Sequence, residues 1–198
     1  MTGIILAGGK GTRLGNRNKA FIKLGKFSII ENVIMRLKEA SFKEIIICGG
    51  QTLNIQGLTP VEDIIPHKGP LAGVYSGLIS SNSFYNFVVA CDMPFLSINL
   101  IKYMKDKVGD ADIVVPKTKK GIEPLHAIYS KNCMDIIKQK ITCEKGKLSL
   151  RSIFSELKIK YVLEEEILKF SLPEIAFFNI NTVEDIEKAK RLVKELEG

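Results

Sequence analysis

The sequence predicts an α/β fold in three layers, with helices on both faces of a mostly parallel central sheet. Three observations predict it. Apolar runs of strand length recur at residues 2–6, 43–48, 86–90 and 111–116, and they are continuous rather than alternating, as in strands buried on both faces. Helical patterns stand between them, which is what a parallel neighbour needs to cross over. The first run also breaks directly into a glycine-rich loop, Gly8-Gly9-Lys10-Gly11-Thr12-Arg13-Leu14-Gly15, followed by Lys19.

Taken in order, residues 29–40 place Ile30, Val33, Ile34 and Leu37 on one helical face. The strand at 43–48 stops at Gly49-Gly50, and 51–57 reads as loop. Residues 60–65 form a short extended segment carrying Asp63, 67–70 a turn, and 71–80 a small-residue helix with Gly73 and Gly77 one turn apart. The strand at 86–90 ends on Cys91-Asp92-Met93-Pro94, after which Ser97 can cap a helix over 98–108. The strand at 111–116 precedes a basic loop at 117–121, a strand at 127–129 and a helix at 132–140. Residues 142–148 are polar and expected to be mobile, 149–157 helical, and 159–163 and 176–178 short strands. Thr182 caps the last helix, with Glu184 and Asp185 at its positive end.

A chain of 198 residues fits one domain, 1–198, with a substantial core. No apolar run approaches the ~20 residues of a membrane helix, and no signal-peptide pattern precedes residue 3, so a cytoplasmic protein with no membrane partner is expected. The net charge of +7 is spread over helix faces without a nucleic-acid-binding signature, so no nucleic-acid partner is expected. Cys48, Cys91, Cys133 and Cys143 form no CxxC pair and are expected to be reduced, and with only His67 and His126 a zinc cluster is poorly supported.

Glycines beside cations are what backbone N–H groups need to close on phosphate oxygens. The spacing excludes a Walker loop, since no Lys-Ser/Thr pair falls in frame. It completes only the first half of GxGxxG, and Arg13 and Lys19 add cationic charge that suits loss of pyrophosphate from a triphosphate better than hydride transfer. Asp92 ends a buried strand, where open α/β sheets place ligands, and its hard oxygens suit Mg²⁺. A turn-forming aspartate is the plainer alternative.

The run from Leu6 to Gly15 with Lys19 resembles the signature of the nucleotidyltransferase superfamily. Gly69-Pro70-Leu71-Ala72-Gly73, Cys91-Asp92-Met93-Pro94, the 123–129 stretch Glu-Pro-Leu-His-Ala-Ile-Tyr and the 179–185 stretch Asn-Ile-Asn-Thr-Val-Glu-Asp are similar, in order, to the molybdenum cofactor guanylyltransferase (MobA-type) family. The resemblance implies a three-layer Rossmann-like nucleotidyltransferase domain. It implies transfer of GMP from GTP to the terminal phosphate of molybdopterin with Mg²⁺, possible contact with other molybdenum cofactor biosynthesis proteins, and Arg13, Lys19 and Asp92 as catalytic groups.

For the nucleotide it implies Leu6, Ala7, Gly8 and Gly9 at the loop, Gly69 and Gly73 beside the base, and Asp63 on the guanosine side, where base or ribose would each suit a carboxylate. Asn179 and Asn181 could reach acceptor or metal, or serve the turn before the last helix. Asn18 departs from the family, which usually has Asp before the loop lysine. The alternatives are a cytidylyl- or sugar-phosphate nucleotidyltransferase, or a non-catalytic nucleotide-binding protein of the same fold.

Overall fold

The computed structural model describes residues 1–7, 19–49, 55, 58–65, 68–144 and 148–197. After β1 (Thr2–Leu6) come a 3-10 turn at Lys19–Phe21, a small antiparallel hairpin of β2 (Lys23–Leu24) and β3 (Phe27–Ser28), and the helix α1 (Ile29–Glu39). β4 (Glu44–Cys48), β5 (Thr59–Val61), α2 (Pro70–Ser80), β6 (Tyr85–Ala90) and α3 (Ile98–Asp106) follow. The second half holds β7 (Ile113–Thr118), β8 (Gly121–Ile122), β9 (His126–Ser130), α4 (Cys133–Cys143) and a 3-10 stretch at Leu150–Glu156. It closes with β10 (Ile159–Leu163), the one-turn helices α5 (Glu164–Ile167) and α6 (Pro173–Ala176), and α7 (Val183–Glu197).

The main sheet runs β10-β7-β9-β6-β1-β4-β5, with β8 added to β7. β9 lies antiparallel to both β6 and β7, and β8 antiparallel to β7, while the remaining strands share one direction. The sheet is therefore mostly parallel, as predicted. Successive residues of β1 show why helices cover both faces. Ile5 joins a core with Val33 and Leu37 of α1 and Leu100 of α3, whereas Ile4 and Leu6 join Leu71 and Leu78 of α2 and Ile137 of α4. A third cluster of Leu24, Ile29, Phe95, Ile180, Ile186 and Ala189 seats α7 against the β2–β3 hairpin.

From β1 the chain moves outward to β4 and β5, then returns on the other side of β1 as β6. That reversal makes a crevice at the carboxyl ends of β1 and β6, the place where open α/β sheets bind ligands. Backbone bonds stitch it: Ala7 N–H donates to the Cys48 carbonyl at 2.8 Å and Cys91 N–H to the Leu6 carbonyl at 3.0 Å.

α1 starts at a capping box. The Ser28 N–H and hydroxyl both donate to Glu31 Oε2, at 2.6 and 2.7 Å, and Ser28 Oγ accepts from the Glu31 N–H. The Ser28 hydroxyl and N–H, with Lys23, hold the Glu31 carboxyl down at about 2. A depressed carboxylate stabilises the fold above its unfolded value of 4.5, and that contribution is lost as the pH falls through about 2. Ser28→Ala is expected to cost about 1 kcal/mol in urea denaturation at neutral pH, and to cost less when the titration is repeated near pH 2. An equal cost at both pH values would contradict the box.

Several expectations need correction. Residues 176–178 are not a strand. Pro173 sets the first turn of α6, and Ala176 and Phe177 reach the core from the end of that helix. The extended segment at 60–65 pairs only over Thr59–Val61. The helix expected over 149–157 is 3-10 at Leu150–Glu156. In the 142–148 segment Thr142 and Cys143 complete α4, the Thr142 hydroxyl donating back to the Lys138 carbonyl at 2.8 Å. The basic loop at 117–121 is largely the β7–β8 hairpin. The four cysteines are free, with only Cys143 exposed, and no helix among the described residues is long and apolar enough to cross a membrane.

Candidate active site

Lys19 opens the 3-10 turn whose Ala20 is buried, so the backbone that carries the lysine is anchored in the core. Its ammonium reaches across the crevice and donates to three oxygens: Asp92 Oδ2 at 2.5 Å, the Ile180 carbonyl at 3.1 Å and Asn181 Oδ1 at 3.2 Å. An ammonium has three donors, so this set engages all of them. The Lys19 and Asp92 side chains are 23% and 15% exposed, which makes the ion pair only partly screened.

Asp92 follows β6 by two residues, and its carbonyl accepts from the Ile180 N–H at 3.0 Å. One strand-end aspartate and one segment before α7 are thereby fastened together on both sides of the lysine. That segment is itself fixed by the cap of α7. Asp185 Oδ2 accepts from the Asn181 and Thr182 N–H groups, and Thr182 Oγ1 accepts from the Asp185 N–H at 3.2 Å, as the sequence predicts for Thr182.

Asp92 Oδ1 is buried and has no hydrogen-bond partner among the described residues. A buried anionic oxygen without a partner carries an uncompensated desolvation cost. A hard cation would relieve it, and Asp92 offers the oxygen that Mg²⁺ prefers, so the residues present fit such an ion. No group of three or more His, Cys, Asp or Glu suited to a metal occurs among the described residues. The donor set therefore suits an ion that rests on one carboxylate and takes its remaining ligands from phosphate oxygens and water.

On the opposite flank Asp63 lies beyond β5. Its Oδ1 is likewise buried without a partner among the described residues, and burial raises its carboxyl above the usual range. A Cβ placed on Gly73 would stand 3.7 Å from that oxygen and 3.1 Å from Leu6 Cδ2, so the glycine keeps α2 close to the end of β1. Gly69 precedes α2 with φ +75°, a conformation that favours glycine. Four strand ends in the order β5, β4, β1, β6 at ~4.8 Å spacing put the Asp63 and Asp92 flanks about 14 Å apart.

The structure thus brings Leu6, Ala7, Lys19, Asp63, Gly69, Gly73, Asp92 and Asn181 to one edge of the sheet. Of the two asparagines, Asn181 meets Lys19, while the Asn179 amide donates to the Phe177 carbonyl at 3.1 Å, in line with the turn role, one of its two expected readings. Gly8, Gly9 and Arg13 lie outside the described residues, as does Asn18. Among the loop lysines, Lys117 stacks over the Tyr161 ring at 5.1 Å. His126 is fully buried between the edges of Phe87 and Phe177, and burial pushes its imidazole down to about 3. It is neutral at physiological pH and remote from any base role.

Sequence reasoning missed the Ile180 carbonyl, which has no side-chain signal.

The chain matches the MobA-like NTP transferase domain over residues 3–160. It is 34% identical over 197 residues to a molybdenum cofactor guanylyltransferase of Desulfosudis oleivorans, covering 98% of this chain and 96% of that protein. It is 38% identical over 191 residues to a probable molybdenum cofactor guanylyltransferase of Pelotomaculum thermopropionicum, covering 96% and 91%. The fold is similar to the crystal structure of molybdopterin-guanine dinucleotide biosynthesis protein A from Archaeoglobus fulgidus, with a TM-score of 0.81, 23% identity, and coverage of 98% of this chain and 100% of that one. The glycine-rich sequence that follows β1, the lysine on the strand-end aspartate and these full-length similarities agree: the chain is a nucleotidyltransferase and belongs to the MobA-like NTP transferase family, that of the molybdenum cofactor guanylyltransferases.

Proposed function

We propose that the chain, acting as one domain over residues 1–198, transfers GMP from GTP to the terminal phosphate of molybdopterin, in molybdenum- or tungsten-loaded form, and releases pyrophosphate. The observation that carries this reading is the Lys19–Asp92 pair at the end of β6, with one Asp92 oxygen covered by the ammonium and the other buried without a partner among the described residues. Base and acceptor rest on the activity named for its relatives.

In this reading an oxygen of the acceptor phosphate attacks the α-phosphorus of GTP. The bond to the oxygen bridging to the β-phosphate breaks, and pyrophosphate leaves with the electron pair. A phosphate monoester has its second pKa near ~6, so the attacking oxygen is already anionic and no strong base is needed. This suits a site whose one described histidine is buried and neutral. Lys19 and Arg13 offset negative charge on the phosphates, and the amides of Gly8 and Gly9 cradle them beside Leu6 and Ala7. Asp92 holds Mg²⁺, which when bound neutralises charge building on the α-phosphate and pyrophosphate.

Asp63 accepts from the N1–H and N2–H₂ donors of guanine, and Gly69 and Gly73 let the base lie against backbone. Asn181 keeps Lys19 aimed across the crevice, and Asn179 shapes the turn that presents it.

The reading is checked by incubating the protein with Mg²⁺, molybdopterin and each of the four nucleoside triphosphates in turn, and measuring pyrophosphate and dinucleotide. GTP alone is expected to support turnover. Turnover with CTP and not GTP would assign the chain to a cytidylyl branch, and GTP binding without any turnover would leave a non-catalytic nucleotide-binding protein.

A further inference from the structure

We propose that Ser76 is a positioning residue for base selection, fixing the backbone that aims Asp63 at the purine. The inference rests on the assignment of Asp63 to the guanine base. Ser76 lies in the middle of α2 and is fully buried. Its hydroxyl donates to the Ala72 carbonyl one turn back at 3.0 Å, a common habit of helical serines. The same Oγ accepts from the Ile64 N–H at 2.9 Å, a contact across twelve positions that no helix requires.

The second bond matters because of where Asp63 sits. On its N-terminal side β5 ends at Val61, whose carbonyl accepts from the Gly49 N–H at 3.1 Å. On its C-terminal side the ladder has stopped, and the Ile64 N–H meets Ser76 instead of another strand. Asp63 is thus held between one sheet bond and one serine bond. Between them its Oδ1 turns inward, buried with no partner among the described residues, beside Gly73.

An unpaired buried acceptor is costly, so it stays in place only where neighbouring structure holds it. Ala72 sits between Gly69 and Gly73. One hydroxyl therefore ties the carboxylate wall of the base site to its glycine wall. Discrimination by hydrogen bonding needs a first contact held to about 0.5 Å, and in this pocket Ser76 is the group placed to supply that support.

ITP provides the probe, since hypoxanthine keeps the N1–H of guanine and lacks the 2-amino donor. The ratio of kcat/KM for GTP to that for ITP is measured for wild type, Ser76→Ala, Asp63→Ala and the double variant. Ser76→Ala is expected to fold and to lower the ratio by about three- to tenfold, the worth of one hydrogen bond. The double variant is expected to match Asp63→Ala alone, because Ser76 acts only through Asp63.

A Ser76→Ala ratio equal to wild type, with a collapsed ratio in Asp63→Ala, overturns the role of Ser76 and leaves the base assignment standing. An unchanged ratio in Asp63→Ala overturns the base assignment and this inference with it. A double variant whose ratio falls below that of Asp63→Ala marks Ser76 as structural and likewise overturns the proposal.

Discussion

Lys19→Met is expected to lower kcat/KM for nucleotidyl transfer by about 10²- to 10³-fold, the loss that follows removal of one preorganised donor from developing charge. Asp92→Asn, which keeps the shape and deletes the charge, is expected to fall at least as far. The two groups meet at 2.5 Å and share Ile180 as a neighbour, so they form one network. The double variant should therefore lose much less than the product of the single losses. Multiplicative losses in the double variant would show that the two act independently and not as one network.

The single variants are expected to diverge when Mn²⁺ is titrated without nucleotide. Asp92→Asn should abolish binding. Lys19→Met should tighten it, because the ammonium that covers Oδ2 is gone and both carboxylate oxygens become available. If a divalent ion and the ammonium compete for one carboxylate, removing the ammonium leaves both oxygens to the ion. Weaker Mn²⁺ binding in Lys19→Met than in wild type would contradict that competition.

Much of this site is legible in the chain because burial on both faces leaves a compositional trace. β1, β4, β6 and β7 read as continuous apolar runs since each has a helix on either side, and Asp92 stands out as the first acid after such a run. Direction leaves no such trace. β9 is as buried as β6 and β7 on either side of it, yet it runs antiparallel to both.

Short segments are ambiguous for a different reason. Three apolar residues at 176–178 cannot distinguish period two from period 3.6, so the end of a one-turn helix passes for a strand. The β2–β3 hairpin is shorter still, and only Gly25 at φ +67° marks its turn. The grip on Lys19 is hidden because one of its partners is a backbone carbonyl 161 positions away, and any residue type at 180 would present it.

Gly77→Val is expected to damage the fold severely. A Cβ on Gly77 would stand 2.6 Å from Ile4 Cγ2, 2.9 Å from Ile4 Cδ1 and 3.1 Å from Cys48 Sγ. Ile4 and Cys48 are themselves buried, at 0% and 1% exposure, and the β-branched isoleucine is stiff at χ1. Neither can retreat, so α2 must lift from β1 and β4. Overpacking a core in this way costs about 1–3 kcal/mol.

Alanine would recover up to about 1 kcal/mol of helix propensity, whereas valine recovers less and adds two methyl groups to the clash. Gly77→Val should therefore reach about 3 kcal/mol, a fall in Tm on the order of 10 °C for a chain of this size. Gly73→Ala, one turn earlier, makes the control. Its Cβ would meet Leu6 Cδ2 at 3.1 Å, the mobile tip of a leucine, so Tm should stay near wild type.

The two glycines should separate again in function. Gly77→Ala lifts α2 together with Ser76 and the Gly69–Gly73 turn, and is expected to raise the KM for GTP along with its loss of stability. Gly73→Ala should raise that KM with stability intact, because its new methyl faces Asp63 Oδ1 at 3.7 Å and narrows the space for the base. A Gly77→Val protein with the Tm of wild type would mean that α2 does not lie this close to β1, and the placement of Asp63 against Gly73 would fall with it.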